Sequence, residues 1–280
     1  MSCMPDEAPR SQTSRTAAEA ALVRVVHHYG SRPEFVLLGG LMPEYLCAGS
    51  ALHHAGTTDV DVQVDLEIAC GPVNMQRLEN ALRNAEFLPD SDTGWRWTSD
   101  EGGGTVVKFE LLADSDSVSN GDVLVFEDCE ALGAVNLRGT GFASRDVVIR
   151  QLTARVGDVT HTVEINTTGL AGFLMAKTAA ARSRRAAKDW YDLAFVLLHN
   201  EAGGPEEAAQ AVRARFGGEL LGATRTTLND LVANFSEPAS QGPQAYASQM
   251  MADHPELDRV TVTAEAVVAV KAFHQLLFER

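Results

Sequence analysis

The segment Asp59-Val60-Asp61-Val62-Gln63-Val64-Asp65-Leu66 alternates polar and apolar residues without a break, and a period of two over that length specifies an extended strand. Asp59, Asp61, Gln63 and Asp65 then share one face, while Val60, Val62, Val64 and Leu66 share the other. Burial of the valine face pins the register, because a slip of one residue would turn the carboxylates into the core. Asp59 and Asp61 emerge together at one end of a sheet, as hard oxygen donors suited to a hard cation such as Mg2+. Upstream, Phe35 to Leu38 reads as a short buried strand running into Gly39-Gly40 and a brief helix with Pro43 near its first turn. A glycine pair there lets a phosphate approach the backbone, since no Cβ intervenes and a helix N-terminus offers unpaired N–H groups.

A third carboxylate follows. Trp95 to Thr98 and Thr105 to Leu112 read as strands joined by a loop, Ser99 to Gly104, whose three glycines suit a reversal. In the second strand Val106, Lys108 and Glu110 lie on one face and Val107, Phe109 and Leu111 on the other. Three strand carboxylates repel one another unless neutralised, by a bound cation or in part by Lys108. Lys177 falls four residues after Phe173 and three after Leu174, on the apolar side of its helix, so its ammonium either aims at a polyphosphate or escapes at the helix edge. In the next helix Trp190, Leu193 and Leu197 form the buried stripe. Asp189 lies at its flank, placed to orient Lys177, and Asp192 reads as a surface partner of Lys188 one turn back. Arg182, Arg184, Arg185 and Lys188 form the one basic cluster, either a solvated helix end or an acceptor-binding patch. The pairs His27-His28 and His53-His54 point apart, which argues against metal binding but leaves His53 or His54 able to touch a nucleotide.

With 280 residues, 45% of them hydrophobic, the chain can bury a core large enough for two apposed subdomains. Its net charge of -15 argues against a broad basic surface for gripping nucleic acid, though a small basic patch would still admit an RNA acceptor. No apolar run approaches the roughly 20 residues that span a bilayer, and the N-terminus lacks the apolar core of a secretion signal, so a cytoplasmic location is expected. Cys3, Cys47, Cys70 and Cys129 form no CxxC pair; the last three read as packing residues in a reducing compartment. Residues 1–15 read as disordered, with Thr16-Ala-Ala-Glu19 as a capping box for a helix ending at Gly30. Val73 to Phe87 reads as a helix, and Val123 to Phe126, Asp146 to Arg150 and His161 to Ile165 as strands. From residue 167 the character is helical, with helices over Leu170–Arg184, Lys188–His199, Pro205–Phe216, Thr226–Phe235 and Thr263–Phe278.

LLGGLMPEYL, HHAGTTDVDV, VKFELL and LMAKTAAARSRRAAKDWYDL, running from about Phe35 to His199, resemble the AbiEii-like nucleotidyltransferases of the DNA polymerase beta superfamily, many of them toxins of type IV toxin–antitoxin systems. The last 80 residues contribute no motif. The resemblance implies an α+β fold: a small mixed β-sheet flanked by helices over residues 16–166, and a helical C-terminal subdomain, 167–280, completing the cleft. It implies Asp59, Asp61 and Glu110 as ligands of Mg2+ or Mn2+, Gly39 and Gly40 as the phosphate turn, Lys177 facing the polyphosphate and Asp189 as its partner. Two departures stand out: the long spacing from Gly40 to Asp59, and glutamate at 110 where aspartate is common. The expected reaction moves an NMP from an NTP to a hydroxyl of RNA or protein, with an antitoxin as a possible partner. Two alternatives are a nucleotide- or partner-binding module without turnover, and an aminoglycoside-type small-molecule nucleotidyltransferase.

Overall fold

The computed structural model describes residues 11–64, 72–91 and 94–279. Asp65, Leu66, Cys3 and Cys70 lie outside them. Within the described residues nine strands form one mixed sheet, in the order β3 (Leu88–Pro89), β4 (Arg96–Asp100), β5 (Val106–Ala113), β2 (Asp59–Gln63), β1 (Val36–Leu38), β9 (Val159–Thr168) and β8 (Val147–Val156). Off this path, β6 (Val123–Val125) pairs with β7 (Gly133–Asn136), and β7 pairs with β5. The β2–β5, β1–β9 and β5–β7 pairs are parallel and the others antiparallel.

The alternation of β2 and β5 decides the layering. Val60, Val62, Val107, Phe109 and Leu111 are all buried. They face helices α1 (Gln12–Tyr29) and α3 (Pro72–Asn84), with the Phe109 ring edge-on to Phe35 and Phe87. On the opposite face a 3-10 turn over Thr140–Arg145 crosses the sheet and carries α4 (Leu170–Arg184). Gly39–Leu41 forms another such turn, leading into the short helix α2 (Met42–Leu46). The remaining helices are α5 (Ala187–His199), α6 (Pro205–Phe216), α7 (Gly222–Asn234), α8 (Gln241–Asp253) and α9 (Arg259–Phe278). One apolar cluster runs continuously from Leu22 and Phe109 in the first half to Phe195 and Phe273 in the second.

The structure is α+β with a helical C-terminal part, as expected, but several details differ. Helix α1 begins at Gln12, with the Ser11 side chain accepting from the backbone N–H of Ser14, so Thr16 and Glu19 are interior residues and 12–15 are ordered helix. The Thr16 hydroxyl instead donates back to the Gln12 carbonyl. Strands β8 and β9 are each ten residues long, because they pair with one another over their full length. The β-branched run Val260–Thr263 is helical, inside α9, and α8 and β7 carry too little periodicity to be read from sequence. By length and composition α9 is apolar enough to cross a bilayer, contrary to the reading of the sequence. Here Ala266, Val270 and Phe273 bury one side of it against α5, α6 and α8, while Val260 and Val268 on the other are exposed. Helix α5 has no wet flank either: every residue from Asp189 to Leu197 is buried, as befits a helix enclosed by α2, α4, α8 and α9.

The turn before β4 depends on close backbone approach. At Gly94, φ is +53° and an added Cβ would lie 1.2 Å from the Ala131 carbonyl oxygen. Gly94→Ala is expected to destabilise the fold by about 3 kcal/mol, from backbone strain plus overpacking. Urea unfolding checks this, with Gly102→Ala, where nothing lies within 4 Å, as the milder control.

Candidate active site

Parallel pairing of β2 with β5 sets Asp61 opposite Glu110 and Asp59 opposite Lys108. The three carboxylates therefore sit on two adjacent strands, on the face turned toward α4. Gly39, at φ +75°, closes one side: a Cβ there would come within 1.9 Å of Asp61 Oδ2, so only glycine lets the turn after β1 pass this carboxylate. Asp59, Asp61 and Glu110 line one polar cavity with Gly40 and Thr57, and it opens to solvent.

Five cations line the same cavity: Arg96, Lys108, Lys177, Arg184 and Lys188. Arg96 Nε donates to Glu110 Oε1 at 2.7 Å. Lys188 Nζ stands 3.3 Å from Asp59 Oδ2, and Lys108 Nζ 3.6 Å from Asp59 Oδ1. Lys108 is thus a counter-charge, but to Asp59 rather than to Glu110 on its own strand. Desolvation, then the charge of Asp59, raises the pKa of Asp61 above the usual carboxylate range. Desolvation and the neighbouring Asp61 push Glu110 up to about 7 against the opposing pull of Arg96.

The opposite wall is held by two aspartates without solvent contact, Asp189 and Asp192. Lys177 Nζ donates to Asp192 Oδ2 at 2.8 Å and to Asp189 Oδ1 at 3.2 Å. Arg184 grips Asp189 with both Nη2, at 2.8 Å, and Nε, at 3.1 Å. Burial works to lower the pKa of Arg184, but the charges of Asp189 and Asp61 outweigh it and hold the guanidinium above its ordinary value. On its far side Asp192 Oδ1 meets His54 Nε2 at 2.9 Å, while the backbone N–H of Gly56 donates to His54 Nδ1. That pattern fixes the tautomer: Nδ1 accepts, so the ring proton is on Nε2 and points at Asp192. Tyr191 stacks on the His54 ring and its hydroxyl accepts from the N–H of Ala55, clamping the loop before β2.

Every site residue read from the sequence falls in this region. Asp59, Asp61, Glu110, Gly40 and Lys177 line the polar cavity, Gly39 lines the apolar one beside it, and Asp189 lies behind Lys177 as its hydrogen-bond partner. Three readings are corrected. Asp192 is not a surface partner of Lys188; it is a second buried acceptor for Lys177, and Lys188 reaches across to Asp59. Neither histidine lines the cavity: His54 is buried against Asp192, and His53 is exposed beside Glu44. The basic cluster divides, with Arg184 and Lys188 turned into the site and Arg182 and Arg185 bonded to Thr227 and Asp230 of α7. The signal for Asp192 was present, since Asp189 and Asp192 are three residues apart on one helix face; the contribution of His54 depends on a contact 138 residues away in sequence.

Among the described residues no group of three or more His, Cys, Asp or Glu side chains is drawn together tightly enough to hold a metal ion unaided. Magnesium seldom needs such a cage: it is commonly held by one or two carboxylates together with substrate phosphates. Asp61 and Glu110 stand side by side on adjacent strands with Asp59 lining the same cavity, a set of hard oxygen donors that fits a divalent cation arriving with a polyanion.

Removing one partner from the buried network leaves uncompensated charge, so Asp192→Ala should cost about 3–5 kcal/mol in urea unfolding, against less than about 1 kcal/mol for Lys108→Ala at the cavity rim. Glu110 gives a pH signature in chelator-treated protein. Its folded pKa, about 7, exceeds the ordinary 4.5, so the folded state binds the extra proton between those values and its stability falls as pH rises through that window. Glu110→Gln should remove that decline, of up to about 3 kcal/mol, in unfolding curves measured from pH 4 to 8.

No protein-family profile matches this sequence, and no curated protein is significantly similar to it.

Proposed function

We infer that this protein is a metal-dependent nucleotidyltransferase, moving a nucleoside monophosphate from an NTP to a hydroxyl acceptor with release of pyrophosphate. The observation that carries this reading is one polar cavity in which five cations ring three strand-borne carboxylates, in a chain of net charge -15. Four carboxylates line the same cavity, Asp192 among them, so the two sets of charge nearly balance, and a metal ion bound to a polyanion offers a partner to both. Asp59, Asp61 and Glu110 would hold Mg2+ or Mn2+ together with triphosphate oxygens; the bound metal would screen the substrate's charge and acidify the attacking hydroxyl.

The residues of this chain divide the remaining work. The acceptor oxygen attacks the α-phosphorus, the bond to the bridging oxygen of the β-phosphate breaks, and the hydroxyl proton leaves to Glu110 or to solvent. Lys177 and Arg184, immobilised by Asp189 and Asp192, would face the charge that develops on pyrophosphate with little reorganisation left to do. Arg96 steadies Glu110, and Lys108 and Lys188 steady Asp59. The resemblance of the same residues to AbiEii-like toxins puts forward RNA ends and protein hydroxyls as acceptors and an antitoxin as a partner.

Incubation with each labelled NTP, Mg2+ and fractionated cellular RNA, protein and small alcohols should place label in one fraction and release pyrophosphate. Asp59→Asn and Asp61→Asn, with folding checked by circular dichroism, should each reduce incorporation by roughly 100-fold or more. Undiminished labelling by Asp59→Asn overturns the assignment, and nucleotide binding without pyrophosphate in any fraction favours a binding module.

A further inference from the structure

Beside the polar cavity lies a second, narrow one, in the slot between the sheet and α4. Its floor is Leu38 and Leu112 of the sheet, and its walls include Leu137 and Phe173. The space exists because α4 presents Ala176 and Ala180 toward the sheet, where larger side chains would fill it. At its mouth the slot shares Asp61, Glu110, Lys177 and Arg184 with the polar cavity. The turn after β1 joins the two as well, Gly39 facing one and Gly40 the other. The combined site is therefore polyanion-binding at one end and apolar and narrow at the other.

We propose that this slot receives the base of the nucleotide and grips it by its faces rather than by its edges, so that the site accepts all four bases. This rests on the nucleotidyltransferase reading above. A single molecule that is a polyphosphate at one end and a flat apolar ring at the other matches the paired cavities. The slot's own walls carry one polar side chain, Thr140, and its hydroxyl proton is already committed to the Leu137 carbonyl at 2.7 Å. Away from the charged mouth, no lining side chain has a donor to spare for a base edge and the Thr140 oxygen is the one side-chain acceptor left, too few fixed partners for strong discrimination between bases. Face contact with leucine, phenylalanine and alanine scales with ring area instead, which favours purines modestly.

Calorimetric titration of the wild-type protein with Mg2+ and ATP, GTP, CTP, UTP or tripolyphosphate tests this. The four nucleotides should fall within about tenfold of one another, and each should bind at least tenfold more tightly than tripolyphosphate, which lacks the ring. Ala180→Leu, at a half-buried position, should weaken all four nucleotides at least tenfold while leaving tripolyphosphate unchanged, the latter showing that the fold and the polar cavity survive. A preference of 100-fold or more for one base overturns the proposal, as does equal binding of nucleotides and tripolyphosphate. Nucleotide binding that survives Ala180→Leu while transfer is lost assigns the slot to the acceptor and overturns it too. If the wild-type protein binds neither nucleotide nor tripolyphosphate, the nucleotidyltransferase reading itself fails, an outcome distinct from the others.

Discussion

The buried ion network of α4 and α5 is the constraint on which the rest of the site depends. Asp189 and Asp192, both without solvent contact, bind Lys177 and Arg184 of the preceding helix and His54 of the loop before β2. Charges so deeply buried are tolerated only when every partner is in place, and each broken contact leaves a desolvated ion behind. The network therefore does more than join two helices. It holds the helical half at a fixed setting against the sheet, and the setting it holds is the one that turns two cations toward the carboxylates of β2 and β5.

Those carboxylates are themselves brought together by backbone geometry. A parallel β2–β5 pair in the observed register places Asp61 beside Glu110, and the turn at Gly39 passes so close to Asp61 that no side chain fits between them. Burial first, and repulsion between the acids second, raises the proton affinities of Asp61 and Glu110, while Arg96 opposes the shift at Glu110. A divalent cation bound there, as the proposed function requires, would oppose both effects. The apolar slot alongside arises from a different choice, two alanines on the sheet-facing side of α4, and gives the site a second character without disturbing the first.

Much of this was legible before any coordinates. The alternation at Asp59–Val64 and Val106–Leu111 indicates both strands and the polar face of each, and the burial of Val60, Val62, Val107, Phe109 and Leu111 agrees with it. Leu170–Arg184 and Pro205–Phe216 have the bounds that helical spacing indicates. Periodicity failed where packing overrides local preference. The β-branched Val260–Thr263 run is helical where the Asp258 side chain caps the start of α9 and Val262 and Thr263 are buried, and α5 shows a single stripe in sequence though it is buried all round. Asp192 was misassigned for the same reason: a salt bridge to Lys188 satisfies the local rule, and only the burial of α5 removes water as the alternative environment.

The sequence by itself determined which residues carry charge, which face of each strand is polar, and that an inward lysine follows three strand-borne acids, because these properties depend on spacing within single elements. Tertiary structure alone decided which charges meet. His54 reaches Asp192, Lys188 reaches Asp59 and Arg96 reaches Glu110, and the first two of these pairs span more than a hundred residues. Strand order and helix packing bring such groups within 3.5 Å, and no periodicity encodes them, since their contact is a property of how elements are stacked rather than of how any one of them is built.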